Sequence, residues 1–423
     1  MSRLHSSYGK ERTHRDGSVS IYFLLILPIL LLIVAIAIVF GQLVETKTES
    51  YAGADAAALA AAQTLVDDAF LTDEPSVIRP LLMRATEEAQ KYAADNLLKG
   101  QKVVLQANAT NDDSGDVVFG TLNRPRDRVF ISAKTQSDDE KDLLYINTVQ
   151  ITVRRTADRG NAVRTNGGKF LSPKGQDMIV RAMATLDRDV IGFRPIFDKP
   201  LPIVPIALRS DPSGNDPNSW EFQVRNRGGA DEWRFNAENK VFVNDEKGDA
   251  IHEMLVTFGN LVDGDIDAEA VNACLLQIGS KDFDELAEQV RYGLAKLHLE
   301  SLGGQLLLGP DNRLAIPGSP RAPQAGSREF SLMFRSLEQI QLLAEPRIWP
   351  LVSGANDDGA PIISGFVAAR IVRIPMPEPG KPLRMVVQAC SVSQPAAVTD
   401  SERRGAGGID IHNPYISRVR LVK

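Results

Sequence analysis

Asp263-Gly-Asp265-Ile-Asp267 places three carboxylates at alternate positions. That is the spacing of the first three ligands of a calcium loop, which also needs glycine sixth and glutamate twelfth. Those positions hold Ala268 and Cys274, so the acids read as charge complementing a helix N-terminus. Asn111 to Asp116 is a second oxygen-rich stretch and reads as a solvated turn between strands. The five histidines are His5, His14, His252, His298 and His412, and no two have zinc-ligand spacing. No Gly-x-Ser-x-Gly elbow occurs. Gly167-Gly-Lys169 is followed by Phe170 and lacks the upstream glycine of a phosphate loop. Cys274 and Cys390 are the two cysteines; they read as two small core residues, with a disulfide as the alternative. The reading is of a non-enzymatic chain with no cofactor and no metal.

What the chain does specify is position. Ile21 to Phe40 is an apolar run of twenty residues, sixteen of them Ile, Leu, Val or Phe, without a charge. Inserting sixteen such side chains is favourable by about 5–10 kcal/mol. Twenty helical residues rise about 30 Å, the depth of a hydrocarbon core. A cleaved secretory signal has a shorter apolar region, so the run reads as a retained transmembrane helix in contact with membrane lipid. Pro28 lies within it, a position a membrane helix tolerates. Arg3, Lys10, Arg12 and Arg15 precede the run, whereas Lys47 stands with Glu45, Glu49 and Asp55 after it. The positive-inside bias puts the N-terminus in the cytoplasm and the bulk of the chain outside. A net charge of −6 excludes the basic face of a nucleic-acid binder.

The expected fold class is α+β: one transmembrane helix continuing into a long alanine-rich helix, then helix-plus-sheet and strand-rich domains. Residues 1–20 read as a cytoplasmic tail, 21–40 as the span and 41–193 as a helical stalk plus an α+β domain. Residues 194–218, with six prolines, read as a linker, and 219–423 as a strand-rich domain of unassigned role. Within the first unit, one helix runs from residue 21 to about 70 and a second over Ser76–Leu98, with Gly100 as its C-cap. Strands are expected at Lys102–Asn108, Arg128–Ala133 and Thr148–Arg154, and a helix at Gln176–Thr185. Further on, strands are expected at Trp220–Val224, Glu232–Phe235 and Lys240–Asn244. Helices follow at Ala268–Ile278 and Lys281–Leu299, then strands at Ile348–Val352, Ile362–Arg373 and Leu383–Val392. Residues 399–414 read as loose.

Arg15-Asp-Gly-Ser-Val-Ser-Ile-Tyr-Phe-Leu-Leu25, Pro28 and Ala54-Asp-Ala-Ala-Ala-Leu-Ala-Ala-Ala62 together resemble the N-terminus of TadG-like proteins of the bacterial tight-adherence (Flp pilus) assembly system. The resemblance is strong over residues 15–66 and looser to about 190, through Asp116–Gly120 and Asn147–Arg154. It implies a single-span inner-membrane component of pilus assembly or secretion, with pilus-assembly or envelope proteins as partners. Related pilin-like proteins are cut after a glycine that has glutamate five residues on. Here Gly17 is followed at that offset by Tyr22, so no processing is expected. Some TadG proteins carry an Asp-x-Ser-x-Ser metal motif; Asp211-Pro-Ser213-Gly-Asn215 departs from it at the last position.

Tyr51, Ala54, Asp55, Ala58 and Ala62 recur at helical spacing and form the candidate packing stripe. Small residues four apart allow close backbone approach to another helix. Two readings stand: the stripe packs on the protein's own second helix, or against a partner subunit. Trp220, Phe222, Trp233 and Phe235 read as core residues of strands, with a ligand- or polymer-binding site in the outer domain as the alternative.

Overall fold

A computed structural model describes residues 18–98, 101–122, 129–133, 140–164, 175–259, 271–316, 325–379, 381–400 and 413–422. Helix α1 (Ser18–Thr64) is a single unbroken helix of 47 residues, about 70 Å long. Its side chains are exposed through most of the apolar run, and one face becomes buried from Thr46 onward. A 3-10 turn (Asp68–Leu71), capped by the Asp67 carboxylate accepting from the Ala69 N–H, reverses the chain. Helix α2 (Pro75–Asp95) then runs back along α1. Pro75 opens it, where the missing N–H costs nothing. Its inward face is Ile78, Leu81, Leu82, Ala85, Ala89 and Ala93, spaced three and four apart. The antiparallel register is fixed at two levels. Arg84 pairs with Asp67 at 2.9 Å, and Asn96 and Val103 lie against Gly53.

A short hairpin follows α2, β1 (Leu97–Leu98) with β2 (Gln101–Lys102). Strands β3 (Val117–Leu122), β4 (Phe130–Ser132), β5 (Thr148–Arg155) and β6 (Met178–Asp187) build an antiparallel sheet under the two helices. One core joins the α1 alanines and the inner face of α2 to Val149, Ile151, Val153, Val180, Ala182, Ala184 and Leu186.

The second core is larger. It contains β7 (Val190–Phe193), β8 (Ile206–Arg209), β11 (Glu253–Thr257) and β12 (Ala273–Leu275), while the hairpin β9 (Trp233–Asn236) with β10 (Val241–Asn244) lies outside it. Helix α3 (Phe283–Tyr292) precedes β13 (Leu306–Leu307) and β14 (Leu314–Ala315). Helix α4 (Arg328–Leu343) leads into the long strands β15 (Arg347–Ala355), β16 (Pro361–Arg373) and β17 (Arg384–Ala389). The main sheet has the order β11-β17-β16-β15-β8-β12, with β14 also on β16; a small sheet has the order β13-β7-β19, where β19 is Ala397–Thr399. The last strand, β20 (Ile416–Val422), returns to the first sheet between β6 and β18 (Val392–Ser393).

Several expectations need correction. Gln176–Thr185 is strand β6, not helix: Val180, Ala182, Ala184 and Leu186 are buried at period two. Residues 273–275 of the expected Ala268–Ile278 helix form strand β12 against β8, while its start and the three aspartates lie outside the described residues. Trp220–Val224 is not a strand; Glu221–Arg225 is one helical turn closed by Asn226 N–H to Glu221 C=O at 2.7 Å. The expected Lys281–Leu299 helix stops at Tyr292, because Gly293 takes φ 89° against the Leu201 carbonyl, where a Cβ would sit 1.9 Å away. Most of Lys102–Asn108 is irregular. Gly100 and most of 399–414 lie outside the described residues. In the proline-rich 194–218, turns at 197–198, 212–213 and 217–218 flank a stretch in which Leu201, Ile203, Val204 and Ile206 are buried and Ile206–Arg209 pairs in the main sheet. At the other end of the chain, β20 pairs with β6 of the first sheet.

Candidate functional site

On α1 the buried positions beyond the apolar run are Thr46, Ser50, Gly53, Ala54, Ala57, Ala58, Ala61 and Ala62, and Leu65 follows its last turn. They form two adjacent rows four residues apart, a face wide enough to meet both α2 and the sheet. Ala54, Ala58 and Ala62 are completely buried in the first core. Ser50 Oγ lies 3.7 Å from Met178 Sδ at the start of β6 and donates to Thr46 C=O at 2.7 Å. The small side chains are what allow a helix to lie this close to a strand. Of the two readings of the stripe, burial favours the internal one for these three alanines. Tyr51 is 41% exposed and Asp55 is half-buried; seven residues before Ala58 and Ala62, they lie at the margin of the same side, whereas Ala52 and Ala56 lie on the opposite one. The alanine segment is therefore embedded in the first core and is not a free stalk.

Asp116 has a role that its local sequence did not reveal. Its buried carboxylate accepts from Arg159 at 2.6 and 3.1 Å, from the Arg154 guanidinium, and from the Gln106 N–H at 2.9 Å. The other end of the same turn is also anchored. Asn111, buried at φ 53°, donates to the Phe119 and Ala133 carbonyls and accepts from the Phe119 N–H. Asp112–Ser114 form the expected exposed turn, closed by Gly115 N–H to Asp112 C=O at 2.8 Å, while its two buried ends, Asn111 and Asp116, hold neighbouring segments together.

Asp68, in the turn between α1 and α2, reaches the main sheet. One oxygen takes Arg370 at 2.6 Å and the other the Ser391 N–H at 2.6 Å. Phe235 stacks on the Arg370 guanidinium at 4.1 Å, and Phe70 lies 5.3 Å from that of Arg188. Burial lowers the pKa of Arg188 to about 10. The corner that ends α1 is thereby locked to the second core.

The remaining chemistry-bearing side chains have structural partners. Asp211 accepts from the Ser213 hydroxyl and N–H and from the Asn215 and Asp216 N–H groups. The Ser213 hydroxyl, then these backbone donors, hold its pKa down to about 2. His252 Nδ1 lies 3.0 Å from Gly229 C=O, and His298 Nδ1 accepts from the Ala295 N–H; His5, His14 and His412 lie outside the described residues. Cys274, in β12, and Cys390, after β17, are buried thiols, not a disulfide. Burial pushes the Cys390 thiol up to about 12. Trp220 is buried edge-on against Tyr415. Trp233 and Phe235 sit instead on the β9–β10 hairpin, where Phe235 meets Phe242. The four aromatics therefore do not share one lining. Among the described residues, no three His, Cys, Asp or Glu side chains converge as a metal would require.

Glu253 accepts from the Glu232 and Trp233 N–H groups at the foot of this hairpin, beside Asp231, Asp249 and the Gln388 amide. Burial pushes Glu253 up to about 7 and Asp249 to about 6, against the backbone donors. The folded state therefore binds these protons more tightly than the unfolded chain. Their contribution is present at low pH and is lost as pH rises through about 7. The melting temperature of Glu253→Gln should fall less than that of the parent between about pH 5 and 8, the span from ordinary carboxylate values to above the raised one. Parallel melting profiles would contradict this.

Comparison with known families bears on α1 directly. Residues 17–64 match the family model of putative Flp pilus-assembly TadE/G-like proteins. The N-terminal segment is TadE/G-like. The match ends at the last residue of α1, so the TadE/G-like segment is this helix, exposed apolar half and buried alanine half together. No curated protein and no solved structure matches the chain. The likeness to Flp pilus-assembly proteins is confined to this segment.

Proposed function

We propose that this chain is a membrane-anchored, non-enzymatic component of a Flp pilus assembly or secretion system, acting as a structural anchor or scaffold in the bacterial inner membrane. The observation that carries this reading is the coincidence of the TadE/G-like segment with one helix that is apolar and exposed at one end and domain core at the other. The flanking charges favour a cytoplasmic N-terminus and an extracytoplasmic bulk. With Ala54, Ala58 and Ala62 internal, the part of α1 left for an assembly partner is the outward ridge of Ala52 and Ala56. This ridge continues the membrane helix without a break. Recovery of pilus-system proteins with the detergent-solubilised full chain supports the reading. Failure to recover any, where a known component of the system is recovered in parallel, removes it.

A further inference from the structure

We infer that the free edge of β10 pairs antiparallel with the same edge of a second copy of this chain, in a twofold dimer centred on Val243. The β9–β10 hairpin lies outside both cores, and among the described residues β10 has β9 as its sole ladder partner. Asp245 N–H donates to Glu232 C=O at 2.9 Å, in register with that ladder. Hydrogen-bonding direction alternates along an antiparallel strand. The N–H and C=O groups of Phe242 and Asn244 therefore point away from β9.

An open sheet edge is a template for another strand, and chains usually blunt it with charge or proline. Val241-Phe-Val-Asn244 contains neither. Val241 and Val243, 46% and 42% exposed, share one face of the strand, opposite Phe242, which meets Phe235. The charges stand at the ends, Lys240 before the strand and Glu246 after it, both exposed. That polarity selects the occupant. An antiparallel copy with Val243 opposite Val243 sets Phe242 against Asn244, where their free backbone groups bond across the edge. It also sets Lys240 against Glu246, and the twofold axis repeats this pair at the other end. A register shifted by two residues, centred on Phe242, would set Glu238 against Glu246 instead. A strand of another protein would have to carry the same basic-to-acidic order, whereas a second copy carries it already.

The test uses the full chain in detergent, with one introduced cysteine at a time and diamide as the oxidant; the two native thiols are buried. Residues opposite each other in a non-hydrogen-bonded antiparallel pair have Cα atoms about 4.5 Å apart, within the reach of a disulfide. Val243→Cys is expected to give a disulfide-linked dimer several-fold more than either of two controls. One is Val241→Cys, whose two copies would stand four residues out of register, about 14 Å apart. The other is Met376→Cys, at an exposed position outside the hairpin. Lys240→Glu in the Val243→Cys chain should remove most of the dimer, and adding Glu246→Lys should restore it. Linking at 243 no greater than at 241 and 376 overturns the pairing. Linking at 243 that Lys240→Glu leaves unchanged overturns the register that selects a second copy.

Discussion

Asp116→Ala is expected to lower the unfolding free energy of the outer domain by about 3 kcal/mol, the low end of the range for breaking a buried ion pair. The low end applies because Arg154 and Arg159 keep side-chain exposures of 16% and 22%, whereas Asp116 has none. Removing the carboxylate leaves two guanidiniums without their counter-charge, Arg154 keeping only the Gly115 carbonyl at 3.2 Å, and strips the Gln106 N–H of its partner. Against a domain stability of roughly 5–15 kcal/mol, such a loss is large. Urea unfolding of the parent and the variant measures it, and a change below about 1 kcal/mol, typical of an exposed pair, would show that the triad is not structural. A second variant separates charge from packing: adding Arg154→Met and Arg159→Met to Asp116→Ala should recover part of the loss, since an apolar cluster does not leave buried charge uncompensated.

Ala58→Leu is expected to destabilise the folded domain by about 1–3 kcal/mol, the usual cost of extra methylenes in a filled core. Read from sequence alone, Ala58 belonged to a stripe that packs either on the protein's own second helix or against a partner, and on the second reading a larger side chain there leaves the domain intact. At zero exposure between α1, α2 and the sheet, it has no room to grow. Ala56→Leu, two residues earlier and half-buried on the other side, should change stability much less. Thermal melts of both variants decide the matter. Equal melting temperatures for the parent and Ala58→Leu would mean that α1 does not pack as described.

The contrast between these two alanines shows what was legible in the sequence. The helical period, the membrane run and the second helix could be read because a long uniform composition carries them. Which alanine row faced inward could not, since both rows have the same residue type. Strand β6 was misread for a related reason. Ala182 and Ala184 fill narrow slots beneath α1, so the strand is written in Ala and Met, which favour helices, instead of the usual branched residues. Asp116 with Arg154 and Arg159, and Asp68 with Arg370 and Ser391, were invisible because partners 38 to 323 residues apart leave no local pattern. The interior strands β16 and β17 were legible, being rich in Val and Ile. Helix α4 went unread, although Phe330, Met333, Leu337 and Ile340 mark its buried face.

The account makes α1 two things at once: the anchor in the bilayer and the innermost helix of the outer domain, with one ridge left for assembly. The most direct measurement is co-purification of the detergent-solubilised full chain with proteins of the Flp pilus system, for the parent and for Ala56→Arg. The parent is expected to recover pilus-system proteins, and Ala56→Arg to lose them while melting at the parent's temperature. Recovery of none by the parent, under conditions that recover a known component of the system, would contradict the account.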